Sequence, residues 1–476
     1  MDGWRGTVAM GTISSAFNVI SGALDADQSA LNVVANNVAN ANTTGYTEEV
    51  PNWQQNQPIV INGVSYGAGV TETGATSVRD RVLTERLDQQ QQLASASGSR
   101  LQALNTLQAL FTPDTGSTTA TAGDIGSDIT GFFSSFSSLE ANPTDNALRQ
   151  DVLSTAGTLA GDVSNAAASL NAQRSALDQE ATGVTSQVNA LTGSIAQLNL
   201  QIQSASPNAD AGTLEDQRQQ DIGQLSKLIG INQVTTENNG LSITTTSGQM
   251  LVSEGSSVQL STGMVGGVSD FFAGSTNITS QLATGGGSLG GYLTARDQDI
   301  PNALTSLDQL AYSVSTQVNT LNSSGTSLSG TAGNIFSAPV QQAGSASTMS
   351  VVMTDPDQIA AAGSGQGTGD NSNAISMAAL ANRSIVNGQT PSNYYSNFIT
   401  TLGSTVSQVQ TENTAQTASV TQLQTQNDAL SGVNLNNEAS SMTLLERSYQ
   451  AASQVFTMIN TIMNSVLNLG TQTTVS

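Results

Sequence analysis

The sequence predicts a mainly α-helical protein with small β-rich insertions. Three observations predict this class. Apolar residues recur at heptad spacing in several separate runs. Short β-branched runs broken by Gly and Asn interrupt them. The two ends of the chain match each other in character.

The first heptad run is Ile13, Phe17, Ile20, Leu24, Leu31, Val34 and Val38, with Asp27 interrupting one seam position. Asn36, Asn37 and Asn40 surround its end, and an asparagine amide both donates and accepts, so these side chains can bond across a close helix interface without adding charge. Thr43-Thr44-Gly45 ends the helix, with Gly45 suited to a left-handed cap, and Tyr46 follows. The longest run is Val163, Leu170, Leu177, Val184, Leu191 and Leu198, with Ala167, Arg174, Ala181, Val188, Ile195 and Ile202 as the alternate seam. A helix over that span is about 60 Å long at 1.5 Å per residue. From Gly230 to about Thr294 the texture changes to strand-like runs with turn signals at Asn239-Gly240 and Ser247-Gly248, which read as antiparallel strands. A helix is expected to start near Asp299-Ile300-Pro301 and to carry Ile300, Leu304, Leu307, Ala311, Val314, Val318 and Leu321. Residues 336–371 read as a second small insert containing a strand-like "STMSVVMTDP" and the flexible loop "GSGQGTGD". The next run, Leu402, Val406, Val409, Val420, Leu423 and Leu430, has polar Asn413, Gln416 and Asn427 in seam positions. The last is Leu435, Met442, Leu445, Tyr449, Ala452, Phe456, Ile459, Met463 and Val466. A sustained 3.5-residue period implies long helices packed with a left-handed twist, although each run alone reads equally well as an ordinary bundle core.

Composition excludes several classes of function. The chain has 476 residues, long enough for two to four domains, with 37% hydrophobic and only 10% charged residues. Its 12 Lys+Arg against 35 Asp+Glu give a formal net charge of -23, which phosphate backbones and anionic membranes repel, so neither nucleic acid nor a membrane is an expected partner. There is no cysteine and no histidine, which removes disulfides, thiol chemistry, the usual zinc ligands and the commonest general base. The glycine-rich "GSGQGTGD" lacks both a preceding strand and a lysine, so it is no phosphate loop. No enzyme activity, metal or cofactor is expected. No stretch is long and apolar enough for a transmembrane helix, and no cleaved signal peptide is evident.

The two ends carry a resemblance. "VANNVANANTTGYTEE" is similar to the N-terminal signature of the bacterial flagellar axial proteins, and "SGVNLNNEASSMTLLERSYQAASQVFTMINTIMNSVLNL" to their C-terminal one. Between them, "GGGSLGGYLTARDQDIPNALTSLDQLAYSVSTQVN", "GTSLSGTAGNIF" and "TDPDQIAAA" followed by "GDNSNAISMAAL" resemble the middle of the hook-associated protein 1 family. Three departures stand out: "MDGWRGTVA" precedes the position where the family usually begins, so translation is expected to start at Met10; acidic residues usual after Ser-Gly-Val-x-Leu are here Asn436-Asn437-Glu438; and the second insert is short.

The resemblance implies a structural junction adaptor between hook and filament, needed for filament assembly. It also implies export without a cleaved signal peptide and location outside the cell. Implied partners are further copies of the chain in a helical axial assembly, hook protein, hook-associated protein 3 and a flagellar export chaperone. Two other readings stay open: hook-associated protein 3 itself, and a secreted coiled-coil adhesin or effector using flagellar export. The expected organisation is a terminal coiled-coil inner domain (residues 10–47 with 431–476), a helical middle domain (48–335 with 372–430, including a β-rich insert at 230–294) and a small outer insert (336–371). The named seam residues of the two terminal helices, together with Asn36, Asn37, Asn40, Gly45 and Tyr46, are the expected subunit-assembly residues. The terminal stripes are too long for one helix pair to cover, so they are expected to order fully only in the assembly.

Overall fold

The computed structural model describes residues 3–61, 63–112, 124–205, 210–237 and 239–472. Met1 and Asp2 of the extra N-terminal stretch, and residues 473–476 of the expected C-terminal helix region, lie outside them. The N-terminal helix α1 (Gly3–Asn40) leads into four short strands, β1 (Glu49–Gln55), β2 (Ile59–Ile61), β3 (Val64–Tyr66) and β4 (Val70–Ser77). β1 and β4 pair antiparallel as a ribbon, and β2 and β3 form a separate hairpin at its far end. This ribbon was not expected from the sequence. The signal for the hairpin was Asn62-Gly63 between Ile59-Val60-Ile61 and Val64, a strong turn cue.

The middle is built on a long helix. α2 (Arg81–Ala109) and α3 (Ile125–Ala141) precede α4 (Asn146–Ala205), which has 60 residues and so spans on the order of 90 Å. Its heptad seams are buried, apart from half-buried Leu191 and Arg174. The two halves of α4 serve two different cores. The first half joins α2, α3 and later helices around Phe132, Phe133, Phe136 and Phe336. The second half packs with α5 (Thr213–Leu228) against a four-stranded sheet β5 (Ile231–Thr235), β6 (Leu241–Thr245), β7 (Met250–Ser253) and β8 (Ser256–Ser257), and a three-stranded sheet β9 (Leu260–Val265), β10 (Val268–Ala273) and β11 (Thr276–Asn277).

Three local expectations are corrected. The β-rich stretch expected to reach Thr294 ends at Asn277, and α6 (Thr279–Gly285) and α7 (Gly287–Thr294) follow. The helix expected to start near Asp299 continues from α7 through a π-turn (Ala295–Asp299) into α8 (Ile300–Ser324). A glycine of this stretch lets two helices touch: a Cβ on Gly291 would lie 2.1 Å from Ser99 Oγ and 2.2 Å from the Ala96 carbonyl of α2. The strand-like "STMSVVMTDP" forms no strand, only an isolated bridge between Phe336 and Val351. It folds over α8, and Phe336, Ala346, Met349, Met353 and Ile359 enter the first core.

Amide side chains dock strands and irregular segments onto helices. Asn319 of α8 bonds both the N–H (3.0 Å) and the C=O (2.9 Å) of Phe336. Asn189 of α4 does the same to Leu260, at 2.8 Å each way, and Gln92 of α2 to Ile231. One amide thus supplies the donor and acceptor that a neighbouring strand would supply. Buried Arg149 ties the 356–359 turn to α4 through the Pro356 and Ile359 carbonyls. After α9 (Ser372–Ala379), α10 (Pro391–Ser431) returns along α2, and α11 (Leu435–Gln472) pairs with α1. The polar seam of α10 meets α2 through Asn413, which donates to Ser97 Oγ (3.1 Å) and the Ala94 carbonyl (3.2 Å), and through Gln416 with Gln90.

Candidate functional site

α1 and α11 run antiparallel. Phe17 and Phe456 meet at one level, ring centroids 4.8 Å apart, and Asn37 and Glu438 at the other. Ile13, Phe17, Ile20, Leu24 and Leu31 of α1 are half-buried, as are Met442, Leu445, Phe456, Ile459, Met463 and Val466 of α11; Val34 is fully buried. Three of the expected seam residues are instead exposed: Val38 (40%), Leu435 (51%) and Tyr449 (38%). Val38 and Leu435 sit at the end of the pair, where the chain turns away into Asn40–Gly45 or arrives from α10, so no opposing side chain covers them.

Only one of the three expected asparagines reaches across to another element. Asn37 is 1% exposed; its Nδ2 donates to the Glu49 carbonyl (2.8 Å) and its Oδ1 accepts from the Glu49 N–H (3.0 Å) and the Tyr46 hydroxyl (2.9 Å). It therefore anchors β1 to α1 in the manner of Asn319 and Asn189. Exposed Asn36 and half-buried Asn40 bond only locally, Asn40 Nδ2 to the Asn36 carbonyl. Gly45 has φ +80°, and a Cβ there would lie 2.7 Å from Gln220 Nε2, so conformation and space both call for glycine. Burial, and then Glu49, push the Tyr46 hydroxyl up to about 12, which keeps it protonated as a donor to Asn37. Burial also raises Glu438, against the lowering bond to Asn37 and with the Glu48 charge adding to the rise.

Beyond this turn lies a neck that joins the terminal helices to the middle domain. The Thr47 N–H and hydroxyl donate to Asp216 of α5 (3.0 and 2.7 Å), and Arg79 bridges Glu215 (2.5 Å) and Asp216 (2.6 Å). Ser77 donates twice to Asp210; burial alone would raise that carboxyl, but bonds from Gly212 and Ser77 hold it below its usual range. Gln220 bonds the Thr44 carbonyl (2.8 Å), and the Glu48 N–H bonds the Ser431 carbonyl (2.9 Å), so the N-terminal segment is held on α5 and the C-terminal segment on the N-terminal one. Nearby, burial pushes Asp88 of α2 up to about 6, although it accepts from Gln219 and Gln233 at 2.8 Å each. The sequence reading missed this clasp; its one cue was Arg79-Asp80-Arg81 in a chain poor in basic residues.

Among the described residues no group of His, Cys, Asp or Glu side chains converges as a metal site requires, and no helix is long and apolar enough to cross a membrane. The geometry is that of a packing and anchoring site.

Comparison with known proteins bears on the same regions. The profile described as the flagellar hook-associated protein FlgK helical domain matches residues 114–336, and that of the flagella basal body rod protein matches residues 17–47. Flagellar hook-associated protein 1 of Salmonella typhimurium is 24% identical over 564 residues, covering 96% of this chain and all of that protein. The Escherichia coli protein of that name is 25% identical over 96% of this chain and 100% of its own length; the Bacillus subtilis one is 26% identical over 94% and 96%. The Salmonella alignment is longer than the 476-residue chain, so that relative carries segments this chain lacks. The flagellar hook junction protein FlgK from Burkholderia pseudomallei shares the fold, with a TM-score of 0.64 over 72% of this chain and 99% of that one, at 19% identity. The rod-type profile lies on α1, the FlgK profile on the middle helices, and the relatives align along nearly all of both chains, so the chain is similar to flagellar hook-associated protein 1 along nearly its whole length.

Proposed function

We propose that this chain is a non-catalytic structural adaptor that joins the flagellar hook to the filament and on which filament growth depends. The observation that carries this reading is the pairing of the two chain ends into one narrow two-helix unit, clasped by its neck to a separately packed helical domain. The relatives named hook-associated protein 1, aligned over nearly their full length, support it.

In this reading residues 10–47 and 431–476 form the inner, axial part. Residues 48–335 with 372–430 form the middle, and 336–371 a small addition to it. The assembly residues are the seam positions of α1 and α11. The neighbours are further copies of the chain, hook protein on one side and hook-associated protein 3 on the other. An export chaperone holds the C-terminal region beforehand, and the protein leaves the cell without a cleaved signal. Deletion of the gene tests the role: we expect cells with hooks and no filaments, restored by the full chain. Filaments of normal number on the deletion strain would overturn it.

A further inference from the structure

Among the described residues the β2–β3 hairpin has no extensive packing against another element, and an isolated two-stranded hairpin is marginal in water. One of its faces carries Ile59 opposite Tyr66, with Val64 further along, and these side chains are 41–53% exposed. A second apolar surface lies on α11, outside the seam with α1: Leu444, Val455, Met458 and Ile462, at 38–70% exposure.

The two surfaces lie on opposite sides of α1. The helix turns Phe17 and its seam partners toward α11. It turns Val19, Gly22, Ser29 and Asn37 toward the β1–β4 ribbon, where a Cβ on Gly69 would meet Val19, one on Gly22 would lie 3.0 Å from the Val70 carbonyl, Ser29 bonds Glu72, and Asn37 bonds Glu49. At 3.6 residues per turn the two sets of positions face roughly opposite directions. The ribbon and α11 therefore flank α1, and one molecule cannot bring its own hairpin onto its own α11 stripe.

Charge narrows the occupant. The chain carries a formal charge of -23, yet Val50–Thr71 and Ser448–Leu467 contain no charged residue. Two copies repel over most of their surface but not where these stretches meet. We propose that the hairpin of one copy seats on the Leu444/Val455/Met458/Ile462 stripe of the next copy. The contact is head-to-tail, and because it uses two different patches it propagates to a ring or helix instead of closing as a dimer. The proposal rests on the axial-assembly reading above and says which face meets which.

The chain has no cysteine, so introduced thiols are the only ones present. The test places Tyr66→Cys with Met458→Cys in the full chain, expressed in the deletion strain, and oxidises isolated flagella. We expect linked dimers and higher multiples, at least tenfold above either single variant. A second pair, Val64→Cys with Ile462→Cys, repeats the measurement. Dimers no stronger than in the single variants would overturn the contact. So would dimerisation of Met458→Cys alone at the level of the pair, or linkage to a different polypeptide. If neither pair enters flagella, Tyr66→Asp and Met458→Asp decide: normal incorporation of both overturns the proposal, and at least tenfold loss in each supports it. Flagella that assemble without the link would leave the junction role standing, since that role fails only on the deletion phenotype.

Discussion

Replacing Asn37 by alanine removes, besides the bond to Glu438, its three hydrogen bonds to Glu49 and Tyr46 at the point where α1, β1 and the turn at Tyr46 meet. Each is worth about 1 kcal/mol net, and the Glu49 N–H and C=O and the Tyr46 hydroxyl are left half-buried without that partner. The expected loss is about 3 kcal/mol, confined to the terminal unit because Asn319, Asn189 and Gln92 anchor the middle domain independently. At 1.4 kcal/mol per factor of ten, hydrogen-exchange protection of the Glu49 amide should fall about a hundredfold. Amides in the first half of α4 should keep theirs. Asn37→Asp gives a sharper form of the test. It keeps the acceptor but turns a donor into an oxygen facing the Glu49 carbonyl, close to Glu438. The new carboxyl should titrate above its ordinary value, so this variant should regain protection as the solution is acidified and the group becomes a donor again. A change of less than threefold at Glu49 in Asn37→Ala, or pH-independent behaviour of Asn37→Asp, would refute the claim that this amide anchors the ribbon.

Further expectations follow from the same structure. Leu445→Asp places a charge in the α1–α11 seam at a cost of several kcal/mol and should abolish filaments while leaving the melting of the middle domain unchanged; normal filaments would show that the seam is not packed. Burial raises Asp88 to about 6 in the folded chain against about 3.9 when unfolded, so its contribution is fully present below pH 4 and is lost as pH rises through 6. Asp88→Asn should therefore stabilise the protein at pH 7.5 by up to about 3 kcal/mol and not at pH 4, and a difference between variant and parent that is flat with pH would contradict this. Gly291→Ala drives a methyl group into the backbone of α2 and should cost about 3 kcal/mol or more, read as a fall in Tm, with a shift below 2 °C arguing against the close α2–α7 contact. Amides of Ala30–Ala39 and Ser448–Met458 should exchange far faster than those of α4 in the purified monomer and become protected on assembly, because one side of each terminal helix pair stays uncovered; protection equal to that of α4 in the monomer would count against it.

The long helices were legible in the sequence because burial against any apolar surface imposes the same period. The seam Val163 to Ile202 needed only to be apolar every three to four residues, whether its partner was α5 or a sheet. That indifference is also why periodicity could not tell that α4 serves two cores. The two ends were legible for a different reason: their motifs resemble a known family, and that family is the one the relatives share. Phe17, Leu445 and Phe456 are placed where the heptad puts them, whereas Tyr449 follows the heptad, lies between the Glu438 and Phe456 levels that α1 reaches, and is still 38% exposed, since a period does not say how much of a large ring its partner covers.

What only the tertiary structure decided lies mostly in glycine and amide residues. Gly287 to Gly291 fell within the stretch read as β-rich, but the missing side chain at Gly291 is what lets α7 pack on α2, a long-range requirement that outweighs helix propensity. Asn37, Asn189, Gln92 and Asn319 look interchangeable with their exposed polar neighbours in a chain rich in such residues. They are singled out because each happens to face one extended residue whose N–H and C=O have no strand beside them. An amide can satisfy both groups at once without charge. The pattern of apolar residues determined where the helices run; the unpaired backbone of the segments between them decided which polar residues hold the molecule together.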